Sequence, residues 1–150
     1  MNVDSNGLSK TSVVVKTIHG EIVFKFYPKK APETVKRISE LIKQKFYDGL
    51  IFHRVVPGFV VQGGDPEGTG RGGSGKNLKA EFSDVKHVLG TVAMARSSDP
   101  DSADSQFYIA LGTHPHLDKQ YTVFGQVTSG IEKLGKITQG DKILSMTIVE

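Results

Sequence analysis

Short runs of β-branched and aromatic residues recur along this chain between connections rich in Gly, Asp and Ser, and that pattern restricts it to a β-rich fold. The runs are SVVVKT, EIVFKFY, IFHRVV, FVVQ, GTVAMA, SQFYIAL, YTVFGQV and ILSMTIV. The first two read as a hairpin turning at His19-Gly20, because Gly supplies a positive φ and Ile22, Phe24 and Phe26 alternate with polar or smaller residues. After the second run the period changes. From Pro32 onward Val35, Ile38, Leu41, Ile42 and Phe46 follow one helical face, with Lys36, Arg37, Glu40 and Lys43 opposite. Pro32 suits a first helical turn, and Asp48-Gly49 lies just past the end. A second short helix is predicted from Ser129, where Ser129-x-x-Glu132 has the form of a capping box and Ile131, Leu134 and Ile137 could face inward. Eight strands and two helices in 150 residues predict a mainly β domain: a closed eight-stranded antiparallel barrel capped by two α-helices. Residues 1–11, MNVDSNGLSKT, read as a flexible tail before a single domain at 12–150.

Composition narrows the chemistry. Nineteen Lys and Arg against sixteen Asp and Glu give a net charge of +3 with both signs interspersed, too weak and too scattered to point to a nucleic-acid partner. The chain has no cysteine, which excludes disulfides, thiolate zinc sites and a cysteine nucleophile. No stretch reaches the ~18 apolar residues of a membrane span, and the polar opening lacks the apolar segment of a signal peptide. The expectation is a soluble, cytoplasmic protein with no membrane partner.

Several motifs suggest chemistry that their surroundings do not support. The segment GGDPEGTGRGGSG at 63–75 holds seven glycines. Gly68-x-Gly70-x-x-Gly73 within it matches a dinucleotide fingerprint, but no helix opens after it. The run from Gly70 through Gly75 to Lys76 resembles a phosphate loop until Asn77 stands where Ser or Thr must ligate magnesium. A surface loop is the simpler reading, with no nucleotide cofactor. Five histidines, 19, 53, 87, 114 and 116, lack an HExxH helix or a cysteine partner, and Pro115 stiffens the closest pair, so no metal site is expected. Ser105 and His53 lack the elbow of a serine hydrolase.

One residue stands apart. In FHRVVPGFVVQGGD, Arg54 interrupts a run otherwise suited to a buried strand, and a guanidinium taken out of water needs a partner. It could be an edge arginine paired with an acid such as Asp65. Its company elsewhere argues for more. FHRVVPGFVVQGGDPEGTGRGG, then SQFYIAL, then HLDKQYTVFGQV resemble, in order and spacing, the signature of the cyclophilin family of peptidyl-prolyl cis-trans isomerases, with similarity from about Val13 to Val149.

By that resemblance Arg54 falls on the catalytic arginine, while Gln62 and Gln106 match polar groups that support it or bond the peptide. Phe59, Val60, Tyr108 and Leu117 fall on the walls of a proline pocket. Ala95, Arg96 and Ser97 match the segment along which substrate backbone lies, and Gly70 the loop beside it. His116 stands where many members have a tryptophan that helps bind cyclosporin, which implies reduced affinity for that drug. Tyr121 replaces a common histidine, Tyr108 a phenylalanine, and Val60 a longer Met or Leu. The resemblance implies a cofactor-free, monomeric isomerase acting on X-Pro bonds in peptides and unfolded protein clients, and so assisting folding. The alternative is a binding module or adaptor that holds a proline-containing segment with incidental turnover.

Overall fold

Alternation along the first hairpin sorts its side chains as the sequence predicts. Val13, Val15, Ile22, Phe24 and Phe26 are buried, while Lys16, Glu21 and Lys25 face solvent. The computed structural model describes residues 11–149. Its strands are β1 (Ser12–Thr17), β2 (Gly20–Phe26), β3 (Arg54–Val56), β4 (Val60–Gly63), β5 (Thr91–Met94), β6 (Phe107–Ala110), β7 (Val123–Ser129) and β8 (Ser145–Val149), with one α-helix, α1 (Pro32–Lys43), between β2 and β3. The tail predicted for residues 1–11 lies outside the described residues except for Thr11, which is buried. The hairpin turn falls on Ile18-His19 rather than His19-Gly20: Thr17 pairs with Gly20, whose φ of 113° lets β2 begin at the glycine.

All eight strands join one antiparallel sheet in the order β3-β4-β6-β5-β7-β2-β1-β8. The expectation of a closed barrel is corrected here. β3 and β8 form the two edges and share no ladder, so the sheet is an open, curled half-barrel. The segments beside them approach instead, through an isolated bridge between Ile51 and Lys142 and backbone bonds such as Ile143 N–H to Leu50 O (2.7 Å) and Phe52 N–H to Asp141 O (2.8 Å).

The main core fills the inside of the curl. Phe24, Phe107, Phe124, Ile109 and Met94 meet Val35, Ile38, Leu41 and Ile42 of α1 there, and Phe24 and Phe124 pack edge to face at 6.1 Å. The helix is therefore held by its apolar face, as its period predicts. The second predicted helix is a six-residue 3₁₀ segment, Ile131–Lys136, and not an α-helix. Ser129 ends β7, paired with Val23, so the cap position passes to Gly130 at φ 80° and no side chain caps it. Leu134 and Ile137 are buried, but Ile131 remains exposed. A second 3₁₀ turn, Pro115–Leu117, precedes β7. Among the described residues no helix is long and apolar enough to cross a membrane.

Candidate active site

Period-two alternation that sends Val61, Val92, Phe107 and Ile109 into the main core sends Val60, Ala93 and Tyr108 to the other face of the same strands. Strand register then lines up a row. Arg54 on β3 lies opposite Gln62 on β4, Gln62 opposite Tyr108 on β6, and Tyr108 opposite Ala93 on β5. On that face Val60, Ala93, Tyr108, Leu117 and Val123 form a second apolar cluster, flanked by Phe59, Ala95 and Tyr121.

Above the cluster opens a cavity of about 280 Å³ lined by Arg54, Phe59, Val60, Gln62, Ala95, Arg96, Tyr108, Leu117 and Tyr121. A more polar cavity of about 420 Å³ adjoins it, sharing Gln62, Ala95 and Arg96 and adding Gly70, Ser97 and Gln106 among others. Thus nine of the residues singled out from the sequence line the first cavity and three more the second. His116 lines neither. Its ring stacks on Phe59 (5.9 Å between centroids, 18° between planes), while His114 meets Phe59 edge-on at 4.9 Å and bonds the Phe59 carbonyl through Nε2 at 2.8 Å. The His-Pro-His sequence packs the pocket's aromatic wall.

Arg54 is exposed, so the expected cost of burying a guanidinium does not arise. Its Nη1 donates to Gln62 Oε1 at 3.3 Å, and the guanidinium lies 5.9 Å from the Phe59 ring centroid. Gln62 donates in turn to Gln106 Oε1 (3.0 Å), and Gln106 to Gly72 O (2.9 Å), so a relay of amides fixes the acceptor that holds the arginine. Asp65, the partner a structural arginine would need, is occupied elsewhere. It is buried and accepts the backbone N–H groups of Glu67, Thr69 and Gly70, which hold its carboxyl below the usual range against the opposing effect of burial.

The same arrangement explains the nucleotide-like glycines. Asp104 receives the N–H groups of Ser74, Gly75 and Lys76. A Cβ at Gly72 would collide with the Asp65 carboxylate, and one at Gly73 with that of Asp104. The loop wraps its N–H groups around the chain's own carboxylates, where a phosphate loop would offer them to a ligand. Nor do Ser105 and His53 form a nucleophile and base: Ser105 Oγ donates to Gly64 O at 2.7 Å, and both His53 ring nitrogens are buried with no hydrogen-bond partner among the described residues, with burial holding the ring's pKa below its usual value. Among the described residues no three His, Asp or Glu side chains gather as a metal site would need.

The family profile of the cyclophilin type peptidyl-prolyl cis-trans isomerase/CLD matches residues 12–149. The chain belongs to that family. A peptidyl-prolyl cis-trans isomerase of Helicobacter pylori is 44% identical over 144 residues, 93% of this chain and 88% of that protein. Peptidyl-prolyl cis-trans isomerase B of Bacillus subtilis is 44% identical over 134 residues, 88% and 93% of the two chains. A cyclophilin type isomerase of Cryptosporidium parvum, solved in the presence of the dipeptide Ala-Pro, superposes with a TM-score of 0.86 at 28% identity, covering 93% of this chain and 99% of that one. This cyclophilin is accordingly a peptidyl-prolyl cis-trans isomerase.

Reading the sequence for site residues missed the cyclophilin's supporting carboxylates Asp104 and Asp118, considered Asp65 only as a partner for Arg54, and weighed His87 only as a metal ligand. Asp104 lies 28–30 positions from its loop partners and Asp118 lies 31 from His87. No periodicity marks such pairs. Arg96 was found as a backbone-lining position, but its side chain has its own function. It donates to Gln120 O (2.8 and 3.1 Å) and Ser97 O (2.9 Å) and lies between Tyr121 (4.8 Å) and Phe82 (6.0 Å), fixing the wall between the two cavities.

Proposed function

We propose that Arg54 accelerates rotation about an X-Pro bond by donating to the prolyl nitrogen while the proline ring rests on the apolar wall of the smaller cavity, formed by Phe59, Val60, Tyr108 and Leu117. The planar bond resists rotation by roughly 18–20 kcal/mol because the nitrogen lone pair is delocalised into the carbonyl. At the twisted transition state the pair returns to nitrogen, which becomes pyramidal and a better acceptor. A guanidinium can meet it because it is charged at every physiological pH and presents its donors in a rigid fork. The stabilisation is selective for the transition state and needs no nucleophile, general base, metal or cofactor.

The single observation that supports this reading most directly is the state of Arg54. Gln62 anchors one N–H at the rim of the cavity, and among the described residues the guanidinium makes no other hydrogen bond and no ion pair. A pure binding module would need the apolar walls of Phe59, Val60, Tyr108 and Leu117 but not a free donor at their edge, so catalysis is favoured over incidental turnover. A ten-thousandfold acceleration requires about 5.5 kcal/mol. One oriented electrostatic contact supplies roughly 2.7–4 kcal/mol, and the cavity supplies the rest by anchoring the ring and excluding water from a charge-separated planar amide. In this role Gln62 and Gln106 position the arginine. Peptide backbone lies along Ala95, Arg96 and Ser97 beside Gly70, and Tyr121 closes the far wall. The substrates are proline-containing peptides and unfolded chains whose slow prolyl steps the monomeric protein assists in the cytoplasm. Cyclosporin binds with affinity reduced by His116.

Replacing Arg54 by Ala is expected to lower kcat/KM by about 10²–10³ with a smaller change in peptide affinity, measured with a coupled-protease assay on an X-Pro peptide. Arg54→Lys should restore little, because an ammonium lacks the fork. Undiminished turnover in Arg54→Ala would refute the mechanism.

A further inference from the structure

His87 is the one fully buried histidine of the five, and both of its ring nitrogens are satisfied. Nδ1 lies 3.0 Å from Asp118 Oδ1, an oxygen that also accepts the His87 backbone N–H at 2.7 Å. Nε2 lies 2.7 Å from the hydroxyl oxygen of Tyr108. These distances fix the protons. A carboxylate only accepts, so Nδ1 carries the hydrogen. In the neutral ring Nε2 is then a bare acceptor, and the Tyr108 phenol is its donor. Burial acts in the same sense on both groups, holding the imidazole pKa below its usual value and raising that of the phenol.

Neither His87 nor Asp118 lines either of the two cavities described above, but what they hold lines the smaller one. Tyr108 stacks on the imidazole (5.8 Å, 15°) and turns its ring edge to face to Tyr121 (5.7 Å, 89°). Asp118 follows Leu117 at the end of the 3₁₀ turn, and the His114 N–H donates to His87 O at 3.1 Å. Three walls of the smaller cavity, Tyr108, Leu117 and Tyr121, thus converge on one buried imidazole. We infer that His87 is a positioning residue that, oriented by Asp118, accepts the Tyr108 hydroxyl and so pins the floor of the prolyl pocket. The inference rests on reading that cavity as the prolyl pocket. A phenylalanine at 108 would fill the same floor but leave Nε2 buried and unpaired, so in this chain the tyrosine and the histidine act as a pair.

The test is a kinetic cycle with Tyr108→Phe, His87→Leu and the double variant, alongside Arg54→Ala. Loosening the floor weakens the hold on the ring while leaving Arg54, on β3, untouched. Each single change is therefore expected to raise KM about three- to tenfold, the worth of one neutral hydrogen bond, with kcat within about twofold. The double variant should equal either single variant instead of their product, because no donor or acceptor is left orphaned. A purely structural role would lower the melting temperature of His87→Leu and leave KM unmoved, and that result, or multiplicative effects, would overturn the inference. Failure of the prolyl reading itself would show separately, as full activity in Arg54→Ala. One measurement needs no variant: the ring ¹⁵N shifts of His87 in the wild-type protein at neutral pH should report the Nδ1–H tautomer, and an Nε2–H or doubly protonated ring would sink the proposal.

Discussion

The Phe59 ring has Arg54 and two imidazoles, His114 and His116, within 6 Å of its centroid. His116 covers part of its face with a small polar ring that is itself exposed. A large apolar ligand spreading past the prolyl pocket onto this rim would find there an edge that prefers water. An indole in the same place would offer more apolar area and retain a donor at its tip. His116→Trp should therefore tighten inhibition by cyclosporin by roughly three- to tenfold, about 0.5–1.5 kcal/mol of aromatic contact, with turnover of short X-Pro peptides little changed. Superimposable titration curves for the two proteins would dismiss the idea. At this scale the sequence was informative through the family resemblance, which named Val60, Gln62 and Tyr108; they share a face because Val60 and Gln62 are two apart on β4 and Tyr108 lies opposite Gln62 on β6. It was silent on Asp118 and His87, whose partnership depends on a fold that brings residues 31 apart together. It left Arg54 open between a buried and an edge position, because a strand-like run does not tell an edge strand, where a cation stays wet, from a buried one.

The elements show the same division. Helix α1 was legible from its apolar period, yet what starts it was not. Ala31 cannot cap, and the exposed N–H groups are met by Glu81, from a loop 47 residues away: Oε1 accepts from Thr34 N–H (2.8 Å) and Thr34 Oγ1 (2.7 Å), and Oε2 from Glu33 N–H (3.2 Å). A carboxylate there also complements the positive end of the helix dipole. The Glu81 backbone N–H donates to Thr122 Oγ1 (2.9 Å), beside Tyr121, so one residue straps the helix to the segment entering β7. Glu81→Ala is expected to cost about 1–2 kcal/mol, lowering the melting temperature by roughly 2–8 °C, with Glu81→Gln intermediate because the amide keeps one acceptor. Calorimetry of the three proteins would decide it, and an unchanged midpoint in Glu81→Ala would remove Glu81 as the cap. The second predicted helix illustrates the converse error. A capping-box sequence was present, but β7 claims Ser129 for its ladder with Val23, and a tertiary pairing overrides a local signal.

For the whole molecule, openness is the main fact. A closed barrel ties every strand to two neighbours, whereas here β3 has only β4, and the curl is completed by the crossing of residues 49–52 with 140–143. The floor of the candidate site belongs to β4, β5 and β6, each with a strand on both sides, while Arg54 rides on the edge. Such a division suits a site that must grip a ring firmly yet follow a nitrogen as the bond beside it turns. It also makes a claim about local stability. The seam amides of Phe52 and Ile143 are joined by a few isolated bonds and should open without unfolding the sheet, whereas the amides of β6 lie between two unbroken ladders, to β4 and β5, and should exchange only through global unfolding. Native-state hydrogen exchange is therefore expected to give the seam opening free energies at least about 2 kcal/mol below those of the central ladders. Equal values would mean that the edges are coupled as tightly as in a closed barrel, and Arg54 would then have to act from a frame as rigid as the floor beneath it.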